Sequence, residues 1–317
     1  MLTCAPTISL TAWRNSALRT NPITRKTAAK ATQQVIEQQP TLDLAYVPLA
    51  TAALARGDSA GAVEAYAAMA RAGTSGASLA AAGLADVALY EGRYADVERI
   101  LRPAIAEDDK SGNVLGVSAK WVVLAEAYEG QGKSAAAVAA ARKALKLAEG
   151  QPLQVLAAAV LTRTGQDRDA KATAVAFSQQ LAPQSRAYGK ILEGRSALKE
   201  RRLVDAVDAF TAAQRLADLW IARFDLGVAY VEAGHFAEGL AELDRCRKRR
   251  GEATAIFLDE VPTFRYLATL PYWLARAQQG VGQQAAATSS FNAFLRLRSA
   301  TPNDPLVVDA RRRLSDR

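Results

Sequence analysis

Small apolar residues recur along this chain at fixed distances from a glycine. Counted from seven segment starts at 43, 78, 118, 151, 187, 220 and 268, the eighth position holds Ala50, Ala85, Ala125, Ala158, Gly194, Gly227 and Ala275. Seven positions on come Gly57, Gly92, Gly132, Gly165, Arg201 as the exception, Gly234 and Gly282. Five beyond that stand Ala62, Val97, Ala137, Ala170, Ala206, Gly239 and Ala287. An apolar stripe at helical spacing follows, running through Tyr66 and Met69, Phe210 and Ala213, Leu243 and Cys246, and Phe291 and Phe294. Two helices joined by a tight turn approach closely only where facing side chains are small, and glycine frees the backbone to end the first helix. The pattern predicts a stack of antiparallel helix pairs.

The starts are spaced by 35, 40, 33, 36, 33 and 48 residues, and two of these exceed the common period. For the 40, the polar run Ala106 to Asn113 predicts a loop. For the 48, an insert is expected at 252–267, where Pro262 bars a continuous helix and Ile256, Phe257, Leu258 and Val261 mingle with Asp259 and Glu260. This insert is read as a plug sealed against neighbouring repeats, with Phe257, Asp259, Glu260 and Arg265 as its candidate contact residues and a partner-binding loop as the sharper alternative. Residues 1–42 form a basic segment carrying traces of a degraded repeat, 43–301 the seven repeats, and 302–317 a capping helix.

The string Trp121-x2-Leu124-Ala125-x2-Tyr128 with Ala137 and Ala144, and a second at Leu226-Gly227-x2-Tyr230, resembles the tetratricopeptide repeat (TPR). That resemblance implies an all-α, right-handed superhelical solenoid of antiparallel helix pairs, whose first helices line a concave groove that holds a peptide or partner protein. Groove-facing positions in this register include Asp86, Tyr90, Glu126, Glu129, Tyr188, Arg195, Lys199, Phe224, Tyr272 and Arg276, with acid toward the N-terminal half and base toward the C-terminal half. The family's chaperone-tail binders clamp a terminal carboxylate with a groove lysine. The equivalent positions here are Val47, Ala82, Val122, Val155, Ile191, Phe224 and Tyr272, so an acidic chaperone-type tail is not expected to bind.

From Ser185 onward the likeness narrows. Trp220-Ile-Ala-Arg223-Phe-Asp-Leu-Gly227, Arg249-Arg250-Gly251-Glu252-Ala253, Phe257-Leu258-Asp259-Glu260-Val261-Pro262-Thr263 and Tyr272-Trp273-Leu274-Ala275-Arg276 resemble the C-terminal TPR region of bacterial eukaryotic-like serine/threonine protein kinases. This implies a signalling scaffold or sensor and supplies no catalytic residue.

Composition adds exclusions. Alanine and leucine dominate and aromatics make up 7% of 317 residues, which favours helix. Cys4 and Cys246 make no disulfide framework, and His235 is the lone histidine, so neither a metal nor another cofactor is expected. The net charge is +8, of which +4 lies in residues 1–40 through Arg14, Arg19, Arg25, Lys26 and Lys30 against Glu37. This basic arm motivates an alternative, nucleic-acid or transcription-linked binding, although no aromatic-interleaved patch accompanies it.

Apparent catalytic motifs fail on spacing. Gly132-Lys133-Ser134 lacks the earlier glycine of a phosphate loop, since Ala127 stands there, and Gly280-Val281-Gly282 follows a helix rather than a strand. Gly73-Thr74-Ser75-Gly76-Ala77 ends wrongly for a nucleophile elbow, and no kinase signature occurs. The expectation is a non-enzymatic binding protein. It has no apolar run of about 18 residues and no signal-peptide pattern, so a cytoplasmic location is expected, or an extracytoplasmic one if these repeats belong to a membrane-anchored kinase.

Overall fold

A computed structural model describes residues 32–148, 151–255 and 264–316. Among these the regular structure is helical throughout, an all-α solenoid of seven helix pairs. They are α1 (Val47–Arg56) with α2 (Ser59–Ala70), α3 (Thr74–Tyr90) with α4 (Tyr94–Ser111), α5 (Val114–Gly130) with α6 (Ser134–Leu147), and α7 (Gln151–Arg163) with α8 (Asp167–Ser178). Then come α9 (Pro183–Lys199) with α10 (Leu203–Leu216), α11 (Trp220–Glu232) with α12 (Phe236–Lys248), α13 (Leu270–Gly280) with α14 (Gln284–Leu297), and the single helix α15 (Pro305–Ser315). Ahead of α1, residues 32–38 are helical and Thr32 is buried.

The pairs turn alike because one backbone conformation recurs. Gly57, Gly92, Gly132, Gly165, Arg201, Gly234 and Gly282 all sit in the left-handed region, with φ from 62° to 83°. At each turn the next residue's N–H reaches back five residues to a carbonyl of the first helix, at 2.8 to 3.0 Å, from Asp58 to Ala53 through to Gln283 to Gln278. This bond satisfies a carbonyl that the helix end would otherwise leave open. Arg201 adopts the conformation without being glycine.

Close packing follows from the small residues. Ala50, Ala62, Ala85, Ala125, Ala137, Ala158, Ala206, Ala275 and Ala287 are completely buried. Where the facing residue is large, the partner loses its Cβ altogether. An added Cβ on Gly83 would stand 2.3 Å from the buried Tyr66 ring, and one on Gly194 2.6 Å from Phe210. The main core reaches from Tyr46 to Ala277, and two smaller clusters form around Phe210 with Leu226 and around Tyr272 with Phe291 and Phe294.

Residues 106–111 depart from the loop expected of them. They are the last turns of α4, ended by left-handed Gly112. The reason is a buried pair: Asp108 accepts from Lys120 Nζ of α5 at 2.5 Å, and Lys120 also donates to Ser78 Oγ at 2.9 Å. A polar run that appears solvated in sequence thus has its central acid facing inward. The other long spacing leads through two short 3-10 helices, Arg250–Ala255 and Arg265–Thr269, which flank residues outside the described set.

The array curves until distant pairs meet. Arg298, just after α14, donates to Leu89 O at 3.2 Å and to Tyr94 OH at 3.0 Å, which ties the seventh pair to the turn of the second. Arg250 reaches Leu54 O of the first pair at 3.4 Å. The first helices therefore enclose a central space rather than an open trough.

Candidate functional site: the filled and the open halves of the concave face

Four of the seven first helices carry a charged residue at the same repeat position. At the ninth position of their repeats stand Asp86 on α3, Glu126 on α5, Arg195 on α9 and Arg276 on α13. Tyr90 lies one helical turn beyond Asp86.

The chain itself occupies part of the N-terminal half of this surface. Arg265, at the start of the second 3-10 helix, lies between Asp86 and Glu126. It donates Nε to Glu126 at 2.5 Å and Nη1 to Asp86, with side-chain exposures of 4%, 8% and 3%. Phe264 packs on Tyr90 with ring centroids 4.2 Å apart, and Tyr266 donates its hydroxyl to the other Glu126 oxygen at 2.8 Å. Burial acts to lower the Arg265 pKa, and the charges of Asp86 and Glu126 more than reverse this, so the guanidinium stays protonated well above its ordinary range.

Beside this segment lies a cavity of about 1070 Å³, with Glu126, Glu129, Arg163, Arg195, Lys199, Glu232 and Trp273 among its walls together with Arg265 and Tyr266. Its charges are largely paired across neighbouring repeats. Arg163 grips Glu129 with two hydrogen bonds of 2.6 and 2.7 Å, Arg195 donates to Asp225 at 2.7 Å, and Arg201 and Arg276 share Glu232. Burial pushes the Asp225 carboxyl above its usual range in spite of Arg195.

The expected groove residues thus divide. Glu129, Arg195, Lys199 and Phe224 line the open cavity, although Phe224 is mostly buried and stacks on Trp220 at 5.3 Å. Glu126 lies at its edge, occupied by Arg265 and Tyr266. Tyr188 and Tyr272 are 1% and 2% exposed, so they belong to the core and not to the groove surface where the repeat register put them. The pairing of Tyr272 explains its inward turn: its ring packs on Phe291 and Phe294, and its hydroxyl donates to Asp309 of α15 at 2.7 Å. Arg276 stacks over the Trp273 ring at 5.3 Å. Tyr90 lies beneath Phe264. In the insert, Arg265 is described, whereas Phe257, Asp259 and Glu260 lie outside the described residues, as do the basic-arm residues Arg14, Arg19, Arg25, Lys26 and Lys30.

Sequence reasoning missed Arg163, Asp225, Glu232 and the pair Lys120 with Asp108. Each charge is ordinary in its own helix, and only its partner on the adjacent repeat marks it. A faint signal exists, since Arg163 and Glu129 lie 34 residues apart, about one repeat.

A second cavity of about 870 Å³ lies among the second to fourth pairs, with mainly apolar walls that include Leu79, Ile100, Val123 and Leu156, and with Lys120 and Asp108 at its edge. Among the described residues no cluster of metal-ligating side chains forms, and no helix is long and apolar enough to cross a membrane. His235 is exposed at its turn.

The sequence matches no protein-family model and no curated protein. Solved structures with a similar course include the TPR domain of P58(IPK), 12% identical with a TM-score of 0.32, covering 91% of this chain and 93% of that one. Another is the TPR2AB domain of yeast Sti1 in a complex with pHSP90, 16% identical with a TM-score of 0.32, covering 84% of this chain and 96% of that one. Superpositions this loose carry nothing about function.

Proposed function

We propose that this chain is a non-catalytic interaction scaffold of the TPR type that receives a short segment of a partner protein in the C-terminal half of its concave face. The observation that carries this reading is a cavity of about 1070 Å³ on that face, walled by successive repeats from Glu129 to Trp273 and bounded on its N-terminal side by the chain's own Arg265 and Tyr266. The cavity joins an apolar wall at Trp273 and Val228 to polar groups that fix orientation, the usual make-up of a binding site. An extended peptide running the whole length of the array would collide with the insert. A loop or chain end entering from one side would not.

The signalling context, a bacterial serine/threonine kinase system in which this scaffold serves as sensor or adaptor, belongs to the same reading and rests on the resemblance of the last third. A photo-crosslinker placed at Lys199, in the cavity wall, and at Val204, 75% exposed on α10, tests the assignment. Partner capture from position 199 and none from 204 supports it. Equal capture from both, or none from either, rejects the cavity as the docking site.

A further inference from the structure

Phe264, Arg265 and Tyr266 engage the array as a bound peptide would. Three consecutive residues meet successive repeats: Phe264 packs on Tyr90 of the second pair, Arg265 bridges Asp86 of the second and Glu126 of the third, and Tyr266 bonds Glu126. The acids come from equivalent positions of two adjacent repeats, and the cation that bridges them comes from the insert. A surface evolved only to close a core would use apolar contacts, since a buried ion pair stabilises little more than packed hydrocarbon and is sensitive to loss of either partner. What the charges supply is selectivity for a planar, two-pronged cation, which arginine offers and lysine does not.

We infer that Asp86, Glu126 and Tyr90 form a receptor for an arginine flanked by aromatic residues, and that the insert occupies it in cis as an internal stand-in for a partner segment of that chemistry. The inference shares with the proposed function the view of the concave face as a binding surface, and its site adjoins that cavity at Glu126, Arg265 and Tyr266. A partner carrying an aromatic–Arg–aromatic segment exchanges with residues 264–266 and so couples its own docking to release of the insert. Because the insert is tethered, its effective concentration is on the order of a millimolar, so a free segment of micromolar affinity is held off by roughly 100- to 1000-fold.

The test uses the full chain and a blocked synthetic peptide, PTFRYLATL, which repeats residues 262–270. Arg265→Ala vacates the receptor and is expected to bind the fluorescent peptide at least about 100-fold more tightly than wild type does, with a rise in melting temperature on binding. The same peptide with alanine for arginine is expected to bind neither. Asp86→Asn/Glu126→Gln/Arg265→Ala keeps the helical spectrum, because no buried charge is left unpaired, and loses the peptide. Should Arg265→Ala not fold alone, refolding it with the arginine peptide restores the helical signal and refolding with the alanine peptide does not. Folded Arg265→Ala that ignores the peptide, equal binding of both peptides, or undiminished binding by the triple variant overturns the inference. So does refolding that neither peptide rescues. Failure here leaves the crosslinking pattern at Lys199 untouched, so the two readings are judged separately.

Discussion

Arg265 donates to Glu126 across 139 positions of sequence, at 2.5 Å and almost out of contact with solvent. One guanidinium on a short 3-10 helix thereby neutralises carboxylates from two repeats. Removing it takes the bridging cation away from two buried acids. Arg265→Ala is expected to destabilise the protein by about 3 to 5 kcal/mol, whereas Asp86→Asn/Glu126→Gln/Arg265→Met, which removes every charge at once, is expected to remain within about 2 kcal/mol of wild type. Urea unfolding followed by circular dichroism compares them. A single variant as stable as the triple one would mean the acids find solvent or another partner.

Arg201 stands where six other repeats have glycine and pays the left-handed conformation with φ 62°. Its ion pair to Glu232 is made by a side chain 65% exposed, and such pairs contribute little. Arg201→Gly is expected to gain about 0.5 to 1 kcal/mol, because relief of the Cβ clash exceeds the added chain entropy of glycine. The readout is a melting temperature higher by roughly 1 to 3 °C. Glu232 keeps Arg276, so the cavity wall stays in place.

The final helix is pinned by Asp309. Burial pushes its carboxyl up, but hydrogen bonds from Arg313, Tyr272 and Arg312 outweigh this and hold it at about 2. A carboxylate depressed in the folded state contributes stability above its unfolded pKa, near 4, and loses it as pH falls through 4 toward 2. Asp309→Asn is therefore expected to cost on the order of 1 kcal/mol at pH 7, and the gap to wild type is expected to close between pH 4 and pH 2. Denaturant midpoints measured across that range show the convergence or its absence.

Cys246 lies in the apolar stripe of α12, completely buried, with its thiol pushed up by burial and its carbonyl accepting from Trp220 Nε1 at 2.9 Å. In a Cys4→Ser background the remaining thiol is expected to resist an aromatic disulfide reagent at pH 8 and to react only as fast as the protein unfolds. Rapid labelling of native protein would place the sulfur at the surface.

The repeating part of this fold is legible in the sequence because its physics is local. Glycine or its substitute at a turn, a small residue at a helix contact and an apolar residue four positions on each act within some 35 residues, so a linear pattern records them. Ala50, Gly57 and Ala62 could be placed before any coordinate was known. The run Ala106–Asn113 could not, because Asp108 is helical and inward only by virtue of Lys120 on the next helix. Tyr188 and Tyr272 show the same limit, since the register marks the helix face but not how far neighbouring side chains cover it.

What the sequence determined on its own was an all-α array of helix pairs. Tertiary structure alone decided that the array curves until Arg298 meets Leu89 and Tyr94, and that the insert turns inward so that Arg265 settles on Asp86 and Glu126. Curvature sums small rotations over seven pairs, and a buried ion pair needs both partners brought within hydrogen-bond reach. Neither quantity is carried by any one stretch of chain.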